Sequence, residues 1–240
     1  MNTQDIKLPT IIISCAFVIA SIIFGSFYYS AQRVSRDTLS VTGSSKLSVV
    51  ADQAKLILVI SHTAPTSDMS SGYADVAKDL ALTHALLTKE GIAEESILES
   101  TVSTNQIYDQ KTSVNARYDF RQTLTVQSND VNKLTDISKK IPSLSSQGAF
   151  VSIQSLEYYY SKLPDLRVSL LEDAVKDAKA RAEKIAKGTG RSIGVVTTAS
   201  SGVVQVLAPN SIDISDYGTY DTTSIQKDVM ITVKATFELK

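Results

Sequence analysis

Tryptophan is absent from the 240-residue chain, cysteine and histidine are almost so, and neither sign of charge dominates. The single cysteine, Cys15, excludes an intrachain disulfide and a cysteine-rich zinc site. Two histidines, His62 and His84, leave little material for a metal centre or a histidine-based triad. With 24 Lys+Arg against 25 Asp+Glu, the chain lacks the basic excess that a polyanion binder needs to displace counterions. What is present is ordinary for a folded protein: 43% hydrophobic and 20% charged residues. The length allows one large domain or two small ones.

One long apolar run stands out. Residues 11–29 read IIISCAFVIASIIFGSFYY without a charge. As a helix they span roughly 28 Å, close to the ~30 Å hydrocarbon core of a bilayer. Tyr28 and Tyr29 sit where an aromatic belt places amphipathic rings, and Arg33 and Arg36 follow; these four are the expected membrane-interface residues. A cleaved signal peptide needs a small-x-small site. Ala31 has Tyr29 two residues before it, and Ser30 has Tyr28, so an uncleaved single-pass anchor is expected. A lipoprotein reading of Ile12-Ile13-Ser14-Cys15 fails because most of the apolar run follows Cys15. Charge bias does not orient the anchor, since Lys7 on one side nearly balances Arg33 and Arg36 on the other. An anchor ahead of a whole folded domain usually tethers that domain outside the cytoplasm, and a downstream chain without thiols suits an oxidising compartment. The expected segments are a tail over 1–10, an anchor over 11–29, a linker over 30–37 and a folded domain over 38–240.

The domain itself is close to neutral: residues 38–240 carry 21 basic and 23 acidic side chains. Period-two alternation predicts strands at 38–42 (Leu39 and Val41 inward), around 117–126 (Tyr118, Phe120, Leu124 and Val126 on one face) and at 229–239 (Val229, Ile231, Val233, Ala235, Phe237 and Leu239). Leu56 to Ile60 are all apolar, which predicts a strand over 55–63 buried on both faces. Further strands are expected at 97–108, 150–160 and 192–198.

Helices fall between them. Asp68 is placed to cap one that runs to Glu90 and ends at Gly91, with Tyr73, Val76, Ala77, Leu80, His84 and Leu87 as its inward stripe. A shorter one starts near Asn129, turns Val131, Leu134, Ile137 and Ile141 inward, and stops at Pro142. The longest follows Pro164 and runs to Lys187. Glu172–Lys176, Asp177–Arg181 and Glu183–Lys187 are spaced for i,i+4 ion pairs, and Leu171, Ala174, Ala178, Ala182 and Ile185 point inward. The order defines an α+β fold of mainly antiparallel sheets with helices packed on one side. Residues 200–227, rich in Ser, Thr, Asp and Tyr, are long for a loop and read as a mobile surface loop or a segment ordered by a neighbouring subunit, with a short strand at 203–207.

Several pieces together resemble the SIMPL domain (DUF541) family. They are Leu39-Ser-Val-Thr-Gly43, the helix end Lys89-Glu-Gly-Ile-Ala-Glu-Glu-Ser-Ile97 with Thr101-Val-Ser-Thr104 after it, and the helix Ala174-Val-Lys-Asp-Ala-Lys-Ala-Arg-Ala-Glu-Lys-Ile-Ala186 followed by Gly190 and Ile193-Gly-Val195. The terminal strand completes the set, over about 38–240. Ser44-Ser45 and the run Tyr158–Tyr160 depart from the family pattern. The resemblance implies a bacterial envelope protein, periplasmic or anchored in the inner membrane. It also implies no enzymatic activity, assembly of some members into ring- or barrel-like homo-oligomers, and a link to envelope or oxidative stress. It brings no catalytic residues.

The residues themselves add none. Neither histidine sits in a ligand spacing such as HExxH, and both read as packed or surface side chains. Glu94-Glu95 reads as a cap at a turn. Gly188-Thr-Gly190-Arg191 lies at a helix C-terminus, the wrong end of the macrodipole for an anion. No serine stands in G-x-S-x-G. No catalytic, metal-binding or cofactor-binding residue is therefore assigned. Self-association has more support, because three consecutive tyrosines cannot all point inward from a strand and tyrosine is enriched at interfaces. Tyr158, Tyr159, Tyr160, Tyr217 and Tyr220 are the expected contact residues between copies of the chain. The expected partners are thus the protein itself and the lipid bilayer. The other reading is an extracytoplasmic binding module that takes a peptide, lipid or cell-wall ligand at loop 200–227 or in a groove between sheets.

Overall fold

The computed structural model describes residues 7–34, 37–107 and 117–240. Arg36 and Tyr108, the last residue of the expected strand 97–108, lie outside the described residues, as do the side chains of Lys7 and Arg33. Helix α1 spans Lys7–Val34 and contains an apolar stretch, Ile12–Ser30, long enough to cross a membrane and not buried by the protein. It runs past both ends of the apolar run into the expected tail and linker. Pro9 falls in its first turn, where a missing N–H costs nothing.

The architecture is α+β, with two antiparallel sheets and helices packed against them. The chain forms two compact units. The first comprises the chain up to Ser45 with Leu171–Gly202 and Ile231–Lys240; the second comprises Lys46–Leu170 and Val203–Met230.

In the second unit, β2 (Gln53–Pro65) lies between β5 (Arg117–Ser128) and β6 (Val151–Tyr159), antiparallel to both. Leu56 faces Val126, Leu58 faces Leu124, and His62 faces Phe120 across the β2–β5 ladder. Helices α2 (Met69–Lys89) and α3 (Val131–Lys140) supply Val76, Leu87, Leu134 and Ile137 to the core formed with Leu56, Leu58, Ile60, Phe120, Leu124 and Val126. The expectation that β2 is buried on both faces is corrected: Ile57 and Val59 are only half-buried. They share their row with Thr125 and Thr123 of β5, the polar face of the sheet.

Three more expectations change here. The strand expected at 97–108 is two strands, β3 (Ile97–Glu99) and β4 (Ser103–Ile107), both on β5. The ladder breaks because Ser100 turns its own groups onto β5: its hydroxyl accepts from Thr123 N and its carbonyl from Gln122 Nε2. The buried stripe of α2 is Gly72, Val76, Asp79, Thr83 and Leu87, while Tyr73 and Ala77 are exposed. Gly72 lets the helix lie close against Phe120, whose ring a Cβ there would strike. After α3, capped by Asp130 through Lys133 N (2.9 Å), the chain does not stop at Pro142. It continues as a 3₁₀ turn over Ile141–Gln147, in whose first turn Pro142 needs no donor, and ends at Gly148 with φ 80°.

In the first unit the sheet order is β1 (Thr38–Val50, longer than the expected 38–42), β9 (Gln226–Leu239) and β7 (Ile193–Ser201), of which the parts 38–45, 231–239 and 193–201 belong here. The long helix α4 is Leu163–Gly188. Its Ala174, Ala178, Ala182 and Ala186 are buried, and Val41, Ala178, Ala182, Ala235 and Phe237 form the core. Ile185, expected inward, is 47% exposed, because the inward row advances four residues at a time and reaches Ala186 instead. Glu172–Lys176 (2.7 Å) and Asp177–Arg181 (2.8 Å) pair as expected, whereas Glu183 approaches Lys179 at 3.9 Å.

Candidate functional site

Polar side chains of the second unit gather along one face of β6. Ser155, Glu157 and Tyr159 alternate onto that face, and the register sets Lys55 of β2 opposite Glu157. The Lys55 ammonium lies 3.0 Å from Glu157 Oε2, to which the Tyr159 hydroxyl also donates at 2.6 Å; the Ser155 hydroxyl donates to Oε1 at 3.0 Å. The hydrogen bonds from Tyr159 and Lys55 hold the Glu157 carboxyl below the usual carboxylate range. The same bond, with burial and the carboxylate charge, pushes the Tyr159 phenol up to about 12.

Tyr159 continues this network into the loop. Its ring lies 5.8 Å from that of Tyr220, whose hydroxyl accepts from Tyr160 N at 3.0 Å. Lys227 is fully buried and donates to the Asp221 carbonyl at 2.5 Å, with its ammonium 5.8 Å from the Tyr220 ring centroid. Burial depresses the Lys227 ammonium, against the opposing charge of Asp221. Burial works upward on Asp221, but hydrogen bonds from Thr223 and Ser224 outweigh it and bring the carboxyl to about 2.

Loop 200–227 is held by hydrogen bonds of its own. Within it β8 (Gln205–Leu207) pairs with β9, and Val206 bridges to Tyr220. The Gln205 side chain donates to Ser215 O at 2.6 Å, fixing the base of the loop tip. At that tip Ile212, Ile214 and Tyr217 are 89%, 66% and 97% exposed.

The expected contact tyrosines separate accordingly. Tyr158 faces the opposite way from its two neighbours' network, into the core, and is 7% exposed. Thr135 Oγ1 donates to Val131 O, so the Tyr158 hydroxyl donates to Thr135 at 2.8 Å. Tyr158 is thus corrected from a surface contact to a core residue. Tyr159 and Tyr160 are half-buried, Tyr220 is 38% exposed, and only Tyr217 stands free of cover. Tyr28 and Tyr29 are exposed near the end of α1.

His62 and Asp79 form a pairing that residue spacing did not reveal. His62 Nε2 lies 2.6 Å from Asp79 Oδ2, which also accepts Phe150 N at 2.6 Å, and the Phe150 ring meets the imidazole edge-on. Asp79 is 1% exposed, so the pair closes a polar gap in the core. The buried i,i+4 row Asp79–Thr83–Leu87 was the signal available for it. His84 reaches Glu99 at 2.7 Å. Among the described residues no group of three or more His, Cys, Asp or Glu is placed to hold a metal ion. Where β2 begins and β5 ends, a cavity of about 190 Å³ opens beside Lys55 and Tyr159.

The class these features define is an α+β protein of two compact units with an apolar helix at its N-terminus. Residues 39–237 match the SIMPL family, described as a protein of unknown function (DUF541), and the chain belongs to that family. The apolar N-terminal helix is a signal sequence or a membrane anchor. No curated protein matches the chain. Solved structures similar to parts of it include two hydantoinase/carbamoylase family amidases. The one from Burkholderia ambifaria has 13% identity over 47% of this chain and 29% of that one, with TM-score 0.24. The one from Burkholderia multivorans has 10% identity over 50% and 29%, also with TM-score 0.24. The ligand-free regulatory subunit of aspartate kinase from Thermus thermophilus has 14% identity over 80% and 88%, with TM-score 0.18. The match spans less than a third of either amidase, and likenesses this slight carry no argument.

Proposed function

We propose that the protein works without catalysis. In this reading it is a single-pass inner-membrane protein whose folded part stands on the periplasmic side and assembles with identical copies into a ring- or cage-like scaffold. The observation that carries the reading is the loop tip. Three large apolar side chains, Ile212, Ile214 and Tyr217, stand exposed within six residues on a loop whose base is hydrogen-bonded. Exposed apolar clusters of this kind mark interaction sites, and a loop held in shape loses little conformational freedom on docking. Asp213 and Asp216 among them disfavour an anionic lipid surface and suit a protein one. A heterologous contact of this tip with another part of the next copy closes into a ring when its rotation closes. Anchors held side by side in a bilayer raise the effective concentration of each contact.

Light scattering on the detergent-extracted full chain tests the proposal. The expected particle is many times 25.9 kDa, and Ile212→Ser with Tyr217→Ser reduces it to smaller species without lowering the melting temperature. A single protomer at micromolar concentration overturns the assembly reading. An unchanged particle in the double variant removes the loop tip from it.

A further inference from the structure

We propose that the second unit carries a binding site for an uncharged saccharide, in the cavity where β2 begins and β5 ends. Gln53, Lys55, Gln127, Ser128, Asn129 and Tyr159 line it. Its volume of about 190 Å³ corresponds to about six waters at their ~30 Å³ share of the liquid, the scale of one sugar ring.

Charge selects the ligand class. The one cationic group on the wall, Lys55, is already paired with Glu157. Both Glu157 oxygens are occupied, one by Ser155 and the other by Tyr159 and Lys55. An anionic ligand would have to break that pair and deprive a carboxylate that is only 22% exposed of its cation. A cationic ligand finds no carboxylate on the wall. Besides Ala54, Ser128 and Tyr159, the wall that remains holds three residues with side-chain amides, Gln53, Gln127 and Asn129, each with a carbonyl that accepts and an NH2 that donates. Hydroxyl groups, which both donate and accept, complement such a wall. Gln53 Nε2 reaches Asn129 Oδ1 at 3.4 Å, a long bond that a ligand hydroxyl displaces at small cost. Tyr159 contributes an aromatic wall for the C–H face of a sugar ring. Beyond the same turn, Gln127–Asn129, a second and more open depression of about 410 Å³ is lined by Gly91, Glu95 and Lys133. A glycan longer than one ring has room on both sides.

The site is independent of assembly, and calorimetry on the full chain in a detergent without a sugar headgroup tests it. The probes are N-acetylglucosamine, glucose, the β-1,4-linked N-acetylglucosamine tetramer and, as a zwitterion, alanine. The expected result is saturable binding of at least one saccharide, weakened about tenfold or more by Gln53→Ala with Gln127→Ala at an unchanged melting temperature. Tighter binding of the tetramer assigns the site to a polymer, and binding of a monosaccharide alone assigns it to a free sugar. Saturable binding of alanine only, binding of no saccharide, or equal saccharide binding by the double variant overturns the proposal. The particle mass, read separately, reports on self-assembly whichever way the sugar titration falls.

Discussion

Adding one methyl group at Gly43 tests how the first unit is held together. Gly43 lies in β1, and a Cβ built on it runs into the Ala174 carbonyl oxygen and the Ala178 amide nitrogen and sits 2.7 Å from Ala178 Cα. Carbon atoms in ordinary contact stay about 3.5–4.0 Å apart, so α4 has to withdraw or β1 has to bend. Gly43 is not among the residues with positive φ, so the obstacle is packing and not backbone conformation. At an unobstructed strand position, replacing Gly by Ala gains about 0.5–1 kcal/mol. Overpacking a core costs about 1–3 kcal/mol, and atoms of a helix backbone cannot swing aside as a side chain can. Withdrawal of α4 also loosens Ala178 and Ala182 from Val41 and Phe237 and stretches the 2.8 Å bond from Ser44 N to Asp177 Oδ2.

We expect Gly43→Ala to cost about 3 kcal/mol, which for a chain of this size lowers the melting temperature by about 6–12 °C. Circular dichroism melts of the detergent-solubilised chain measure it. Gly188→Ala, where an added Cβ meets nothing within 4 Å, is the control and should not destabilise. Ala178→Gly in the same molecule should give no rescue, because the obstruction is backbone. A Gly43→Ala melt within about 2 °C of the parent, less than 1 kcal/mol on this scale, refutes the close approach; rescue by Ala178→Gly would place the obstacle in a side chain.

Asp221 titrates near 2 in the folded protein against an ordinary value of 3.8, a depression that contributes about 2 kcal/mol above pH 4 and is lost as pH falls through 2. Asp221→Asn should flatten the loss of stability over that window in urea melts, and a slope equal to the parent's would show that Asp221 is not held ionised. Tyr158→Phe removes the hydroxyl from Thr135, which keeps its bond to Val131, so it should cost about 1 kcal/mol; Tyr158→Ser leaves a core void and should cost about 3–5 kcal/mol. Both are read by denaturant unfolding, and a negligible cost for Tyr158→Ser would contradict its placement in the core. Removing residues 1–36 should move the protein from the membrane to the soluble fraction after cell breakage. A truncated chain that still sediments with membranes would mean α1 is not the whole of the attachment.

The parts of this fold that sequence made legible are those in which neighbouring residues carry the signal. Alternation placed β9 because Val229, Ile231, Val233, Ala235 and Phe237, on one face of the strand, are all buried. The four-residue spacing of Ala174, Ala178 and Ala182 placed the inner face of α4 for the same reason. Periodicity failed where a polar residue is buried or an apolar one is not. Asp79 and Thr83 belong to the buried row of α2, so a stripe drawn without them is rotated toward Tyr73 and Ala77. The tyrosine run misled in a similar way. A strand turns Tyr158 to one face and Tyr159 to the other, and nothing in three identical neighbours says which face is the core.

Buried charge explains why loop 200–227 was the hardest segment to read. Its composition is that of a solvated loop, yet Lys227 is wholly buried and Asp221 is tied by Thr223 and Ser224. A lysine taken out of water is tolerated only when its ammonium is hydrogen-bonded, and the Asp221 carbonyl and the Tyr220 ring meet that need from within the loop. Satisfying Lys227 therefore fixes the path of residues 220–227, and the pairing of β8 fixes the other limb. Between these two limbs Ile212, Ile214 and Tyr217 stand out into solvent above a base hydrogen-bonded within the chain. Any partner that docks there meets a surface already shaped, so removing the tip should weaken docking without loosening the fold. Replacing Lys227 should do the reverse, loosening the loop first and docking only as a consequence.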